Sequence, residues 1–345
     1  MITLHCRPPR AVATEIRIGD GAAAELHGAS ADRGTLALVD AGVADRHPNL
    51  LAPTWTALQV VAGESLKTLA QAEVVLRAMA ALGIDRRGLL VAVGGGTVGD
   101  LGGLCAALYL RGIECWQVPT TLLAMVDSAV GGKTAVNLPE GKNLVGCVHP
   151  PTRVAIDPSL LRELPEVEFQ SGLAEVVKVA IGLDGHLFEL LERRTAAVLA
   201  REPAALELAI HRAVAAKAEV VASDLREDGP RRLLNLGHTL GHALEAHAGY
   251  TRPHGLCVAR GLWFALAVAV AEGAITGHDA DRCRALLTAL GFAPDPLPPV
   301  AELLPFLRRD KKAEGASVHF VLPIGIGRSA ARPLPMARLE DALDS

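Results

Sequence analysis

Aromatic side chains make up only 3% of the 345 residues, so Leu, Val and Ala must fill whatever core the chain builds. None of the six cysteines (Cys6, Cys105, Cys115, Cys147, Cys257 and Cys283) stands in a C-x-x-C pair. In so long a chain they read as reduced core thiols and not as a disulfide framework. There is no basic run and the net charge is -4, which argues against nucleic acid as a partner. No apolar run reaches the roughly 18 residues that a membrane span requires, so no membrane partner is expected. The first residues, Met1 to Arg7, lack the charged-then-apolar layout of a signal peptide, and the expected location is cytoplasmic. Internal repeats and low-complexity tracts are missing too.

Half of the residues are apolar, which marks a globular chain, and the length suits two domains that each bury a core. Thr35 to Val39 reads as a buried strand ending at Asp40, and Leu58 to Val61 as another. A helical pattern follows Gly63-Glu64-Ser65-Leu66-Lys67, with Leu66, Leu69, Ala72, Leu76 and Met79 on one face. This strand–helix alternation continues to about Asp157, predicting an α/β nucleotide-binding domain with a mainly parallel sheet over 1–162. From Pro158 the spacing turns helical: roughly 168–184, 186–200, 203–226, 236–248, 256–273 and 279–291. A mainly helical domain over 163–345 is expected. It contains a stiff Pro-rich linker at 294–299 and a short strand from Val318 to Pro323.

The densest chemistry lies between Leu89 and Asn143. An apolar strand, Leu89 to Val93, runs into Gly94-Gly95-Gly96-Thr97-Val98-Gly99-Asp100, which fits G-x-G-x-x-G between a strand and a helix. Such a turn lets backbone N–H groups approach a phosphate closely. Asp40, at the end of its strand, can accept from a ribose or simply occupy a turn. Gly132-Lys133-Thr134 ends like an ATPase phosphate loop, but the required first glycine position holds Asp127, which excludes that reading.

Glu175, the pair His238 and His242, and His254 stand out against apolar surroundings in the helical half. The i, i+4 pair places both rings on one helix face. A carboxylate with two imidazoles suits Zn²⁺ and leaves a coordination position open for substrate. Spacing does not decide which of His238, His242, His247 and His254 ligate. Arg111, Lys133, Lys142, Lys178, Lys217, Arg231 and the pair Lys311-Lys312 are cations in number enough for a small substrate bearing phosphate and carboxylate groups.

Several blocks carry a family resemblance over nearly the whole chain. They are Gly94 to Asp100, Tyr109-Leu110-Arg111-Gly112, Gln117 to Ala124, Val126 to Thr134 and Gly141 to Gly146. The series continues with Ala174-Glu175-Val176-Val177-Lys178, Leu234 to His242, His254-Gly255 and Asp310-Lys311-Lys312. In these the chain resembles the 3-dehydroquinate synthases of the sugar phosphate cyclase superfamily. The resemblance implies NAD and one Zn²⁺ (or Co²⁺) in an interdomain cleft, with Glu175, His238 and His254 on the metal. It makes His242 a substrate contact and not a ligand. Substrate contacts would be Asp127, Lys133, Lys142, Asn143, Lys178, Lys217, Arg231, Asn235, Arg111 and Lys311 or Lys312. NAD contacts would be Asp40, Glu64, Lys67, Gly95, Gly96, Thr97, Asp100, Thr120 and Thr121, with Lys133 and Lys142 reaching the cofactor as well.

The implied reaction takes 3-deoxy-D-arabino-heptulosonate 7-phosphate to 3-dehydroquinate and phosphate, a step of the shikimate pathway towards aromatic amino acids. It proceeds by transient oxidation, phosphate elimination, reduction and intramolecular aldol closure, and a homodimer is the implied assembly. Another sugar phosphate cyclase, such as an aminodehydroquinate synthase, is the first alternative. An NAD- and metal-dependent polyol dehydrogenase ranks lower, because it would lack the cations of Gly131-Gly132-Lys133 and Gly141-Lys142-Asn143.

Overall fold

In the computed structural model of the chain, residues 13–30, 32–308, 313–314 and 317–344 are described. The first half runs β1 (Glu15–Ile18), α1 (Leu26–Ala29), β2 (Thr35–Asp40), α2 (Ala41–Arg46), β3 (Thr56–Val60), α3 (Leu69–Ala81), β4 (Leu89–Gly94), α4 (Gly96–Leu108) and β5 (Glu114–Pro119). A hairpin, β6 (Lys133–Leu138) and β7 (Gly141–Val148), precedes β8 (Arg153–Ile156). Six of these strands form one sheet in the order β1-β8-β5-β4-β2-β3, every pair parallel. The strand β4, Leu-Leu-Val-Ala-Val-Gly, is buried along its whole length, as a strand covered on both faces must be. After β2 the chain leaves toward β3, and after β4 it leaves toward β5. The mouth between β2 and β4 is therefore the switch point at which parallel sheets bind ligands.

Helices dominate from there: α5 (Glu166–Gly182), α6 (Gly185–Leu199), α7 (Pro203–Ser223), α8 (His238–His247), α9 (His254–Ala271) and α10 (Gly277–Ala289). The six segments expected from periodicity fall on these six. Helix α11 (Val300–Leu307) follows the extended 294–299 stretch. A small sheet of β9 (Ala313–Glu314), β10 (Ser317–Gly325) and β11 (Arg328–Pro335) comes next, and α12 (Met336–Asp344) closes the chain. The expected strand from Val318 to Pro323 is the middle of β10. Its partner β11 alternates too weakly to be read as a strand, having Arg, Ala and Pro on a mostly exposed face.

Three expectations need correction. Leu69 does not join the apolar face of α3. Thr68 caps that helix through its side chain, which leaves Leu69 half exposed in the first turn while Ala72, Val75 and Met79 are buried. Among the described cysteines Cys105, Cys115, Cys257 and Cys283 are buried, but Cys147 is exposed because β7 presents one face outward. Cys6 lies outside the described residues. Finally, the 18 residues of α9 have a mean hydropathy of 1.6, enough for a span by length and composition. The helix is instead central to the fold, with 61% of it buried, so its apolar surface is core surface.

Helix α9 reaches its neighbours by backbone contact. A Cβ on Gly255 would stand 1.8 Å from the Ser171 carbonyl of α5, and one on Gly261 would stand 1.8 Å from the Gly237 carbonyl that precedes α8. Gly255 N–H also donates to Ser171 Oγ at 3.0 Å. These approaches bring Glu175, His238 and His254, on three different helices, to one place. Gly261→Ala should therefore lower unfolding free energy by about 1–3 kcal/mol or more, because a backbone carbonyl cannot move aside as a side chain can. Gly277→Ala, at an open position, should stay within about 0.5 kcal/mol of wild type in the same denaturant titration.

Candidate active site

Glu175 sits mid-helix in α5 at 1% exposure. Its Oε1 lies 3.8 Å from His238 Nε2 and 3.5 Å from His254 Nε2. Two atoms each bonded to one tetrahedral Zn²⁺ at roughly 2.1 Å stand roughly 3.4 Å apart, so the spacing suits a shared ion. Both Glu175 oxygens are buried, and the Lys178 ammonium, one helical turn on, is in ion-pair contact with Oε2. The imidazoles are turned to match. His238 Nδ1 is 3.1 Å from the Leu236 carbonyl, and His254 Nδ1 is 3.0 Å from Glu245 Oε2. A ring that donates from Nδ1 keeps its Nε2 lone pair for a metal.

The charges are tuned to a cation here. Burial alone would raise the Glu175 carboxyl, but Lys178 and His254 outweigh it and bring it down to about 2. Burial opposes charge on His254, yet the carboxylates of Glu175 and Glu245 push it up to about 10. The same two carboxylates would favour a metal ion at His254 Nε2, and an ion bound there would displace the proton. His242, exposed on the same face of α8, borders the group with its ring 5.2 Å from that of His238 and 6.0 Å from that of His254.

Beside this centre lies a cluster of cations and their partners. The segment Ala124–Ser128 is wound as a π-turn, which presents Asp127 to Lys217 at 2.6 Å and to Lys178 at 4.0 Å. Lys178 and Lys217 are both buried. For Lys217 desolvation dominates and lowers its affinity for protons, whereas Lys178 is held above its ordinary value because Glu175 and Asp127 outweigh burial. Arg231 is buried and donates to the backbone carbonyls of Leu225 (2.6 Å) and Gly131 (3.3 Å). Lys133 and Asn235 both contact Glu227.

At the other edge, β4 ends at Gly94 and α4 begins at Gly96 with no side chain capping its first turn. Uncapped N–H groups at such a turn fit a pyrophosphate. Gly95 is the cap residue, the Thr120 N–H donates to the Gly94 carbonyl at 3.0 Å, and Thr121 Oγ1 accepts from Ala124 N at 3.2 Å. Thr97 Oγ1 accepts from Gly63 N. Lys67 is buried and donates to Asp100 Oδ2 at 2.6 Å and Asn143 Oδ1 at 2.5 Å. Glu64 faces Asn137 and Lys142. Asp40 sits at the switch point, but its side chain caps α2 through Gly42 N at 3.0 Å.

Not every expected residue arrives. Arg111 is exposed in a turn beyond the far end of α4, roughly 20 Å from the glycine turn at 1.5 Å per residue over 13 residues. A single chain does not bring it to the cluster. His247 points away as well, its Nε2 2.8 Å from Glu302 of α11. Lys311 and Lys312 lie outside the described residues. Two carboxylates escaped the sequence reading, Glu227 and Glu245. Glu227 sits in a loop with no periodicity to mark it. Glu245 carried a signal, since His238, His242 and Glu245 follow i, i+4, i+7 along one helix face.

Residues 57–171 match the family model described as 3-dehydroquinate synthase N-terminal, and residues 172–313 match 3-dehydroquinate synthase C-terminal. A curated 3-dehydroquinate synthase of Symbiobacterium thermophilum is 45% identical over 284 residues, covering 81% of this chain and 79% of its own length. Among solved structures, ValA (2-epi-5-epi-valiolone synthase) from Streptomyces hygroscopicus subsp. jinggangensis 5008, with NAD⁺ and Zn²⁺ bound, superposes with a TM-score of 0.89 at 29% identity. That match covers 99% of this chain and 98% of ValA. A 2-deoxy-scyllo-inosose synthase complexed with carbaglucose-6-phosphate, NAD⁺ and Co²⁺ gives 0.86 at 28% identity, over 95% of each chain.

Zn²⁺ should raise the melting midpoint of the protein, and a chelator should reverse the rise. In calorimetry His238→Ala should lose that shift while its metal-free midpoint changes little. Glu175→Ala should destabilise even the metal-free protein, by about 3–5 kcal/mol, because it takes from the buried Lys178 ammonium its nearer carboxylate and leaves only Asp127 at 4.0 Å.

Proposed function

Because the chain belongs to the 3-dehydroquinate synthase family, we propose that it converts 3-deoxy-D-arabino-heptulosonate 7-phosphate to 3-dehydroquinate and phosphate. The observation that carries this reading is that Lys178 joins two features, touching Glu175 on one side and Asp127 on the other. One is the Glu175, His238 and His254 triad, and the other is a file of cations built around Asp127, Lys178, Lys217 and Lys133. Glu175, His238 and His254 would hold a Zn²⁺ or Co²⁺ ion, and the uncapped turn of α4 with Lys67 and Asp100 would hold NAD. When bound, these groups supply Lewis acidity and a hydride acceptor that returns what it takes.

The chain's own residues do the rest. Lys178 and Lys217, anchored on Asp127, present fixed positive charge to the sugar hydroxyls and carboxylate without reorganising as charge develops. Lys133, Arg231 and Asn235 surround the position that suits the phosphate, and His242 at the rim is placed to exchange a proton with a substrate hydroxyl. Burial of Lys178, Lys217 and Arg231 excludes water, which strengthens their interactions with an anionic substrate.

The seam between the two halves is placed at 162/163, supported by the change from parallel strands to packed helices between β8 and α5. We assign the protein to the cytoplasm and expect it to assemble as a homodimer. The valiolone and deoxy-inosose cyclases match at 28–29% identity, against 45% for the 3-dehydroquinate synthase.

Purified protein given the heptulosonate phosphate, NAD⁺ and Zn²⁺ should release phosphate and form dehydroquinate without net accumulation of NADH. Steady NADH production would instead mark a dehydrogenase. Lys133→Ala should cut kcat/KM by about 10²-fold or more with an unchanged melting midpoint, because its side chain is 53% exposed and contributes little to folding. Wild-type turnover in that variant would remove Lys133 from the site.

A further inference from the structure

We propose that Glu245 is a positioning residue for the metal centre, fixing the tautomer and orientation of His254 while lying outside the coordination shell itself. Glu245 is 5% exposed on α8, and its two oxygens face different ways. Oε2 stands 3.0 Å from His254 Nδ1 on the neighbouring helix, and Oε1 stands 3.5 Å from Lys142 Nζ. Lys142 is itself held over the Tyr250 ring, 4.6 Å from its centroid, and faces Glu64 at 3.4 Å. The carboxylate is thus gripped from the side remote from the imidazole, so that it cannot swing away from Nδ1.

Geometry alone would permit a second reading, since His242, Glu245 and His254 also offer ligand atoms within 4.8 Å of one another. The nitrogens of His254 decide between the two. Its Nδ1 faces Glu245, and its Nε2 faces Glu175 at 3.5 Å, beside His238 Nε2. His238 shows the same division of labour, with Nδ1 on the Leu236 carbonyl and Nε2 toward Glu175. Both imidazoles point Nε2 at one carboxylate and give Nδ1 to an oxygen behind. An ion among the Nε2 atoms satisfies both rings, whereas an ion at Glu245 would take His254 away from Glu175 and draw on an exposed His242. Outer carboxylates of this kind hold a ring in register and raise its basicity, and their loss weakens metal binding by about 10–100-fold without abolishing it.

The inference rests on Glu175, His238 and His254 being the ligands, and Co²⁺ titration of the whole protein separates the two claims. Wild-type protein that takes up no Co²⁺ would overturn the ligand assignment. With wild-type binding established by competition against a chromophoric chelator, Glu245→Ala should bind Co²⁺ about 10–100-fold more weakly, with a shifted visible spectrum. Glu245→Gln keeps an acceptor but not the charge and should lose about threefold to tenfold. It also serves alone if the alanine variant fails to fold. Unchanged affinity in either folded variant overturns the proposal. So does complete loss of binding in both variants, which would make Glu245 a ligand.

Discussion

Glu175 is an ionised carboxylate almost wholly removed from water, and such a group survives only where cations surround it. Lys178 supplies one from the next turn of the same helix, and the imidazole of His254 supplies another across a helix interface. Lys178 in turn needs Asp127, which needs Lys217, so the polar chain extends from α5 through the π-turn to α7. Each member is buried or half-buried, and each would be costly alone. Together they form a site of fixed charges that a metal ion and an anionic substrate can enter with little rearrangement.

That arrangement depends in turn on backbones approaching more closely than side chains would allow. Gly255 and Gly261 place α9 against Ser171 and Gly237, and those contacts stand beside Glu175, His238 and His254. Ser171 lies one turn before Glu175, Gly237 immediately before His238, and Gly255 immediately after His254. Three side chains on three helices are therefore located by main-chain contact, which is stiffer than side-chain packing. The apolar length of α9 serves the same end, burying the helix that presents His254.

The α/β half reaches the cluster of Glu175, His238 and His254 through paired charges. Lys67 joins Asp100 of α4 to Asn143 of the hairpin, and Lys142, next along that hairpin, faces Glu64 and Glu245. The hairpin β6–β7 stands outside the parallel sheet and bridges the two halves. It carries Lys133 toward Glu227 at one end and Lys142 toward Glu245 at the other.

By itself the sequence determined the kind and order of the elements. Period-3.6 patterns named six helices of the second half, and an apolar run ending in glycines placed β4 and the start of α4. Both follow from local chemistry, namely which face must leave water and which residues permit a tight turn. Motif blocks also supplied the inventory of charged and ligating residues. Only tertiary structure decided which of them meet. It turned His247 to Glu302, left Arg111 beyond the far end of α4, and brought in Glu227 and Glu245. It also made an antiparallel hairpin of 133–148, which interrupts the expected alternation of strands with helices. The reason is physical: an ion pair such as Lys142 with Glu245 joins residues 103 positions apart, and periodicity reports which face of a helix is buried but not what is packed against it.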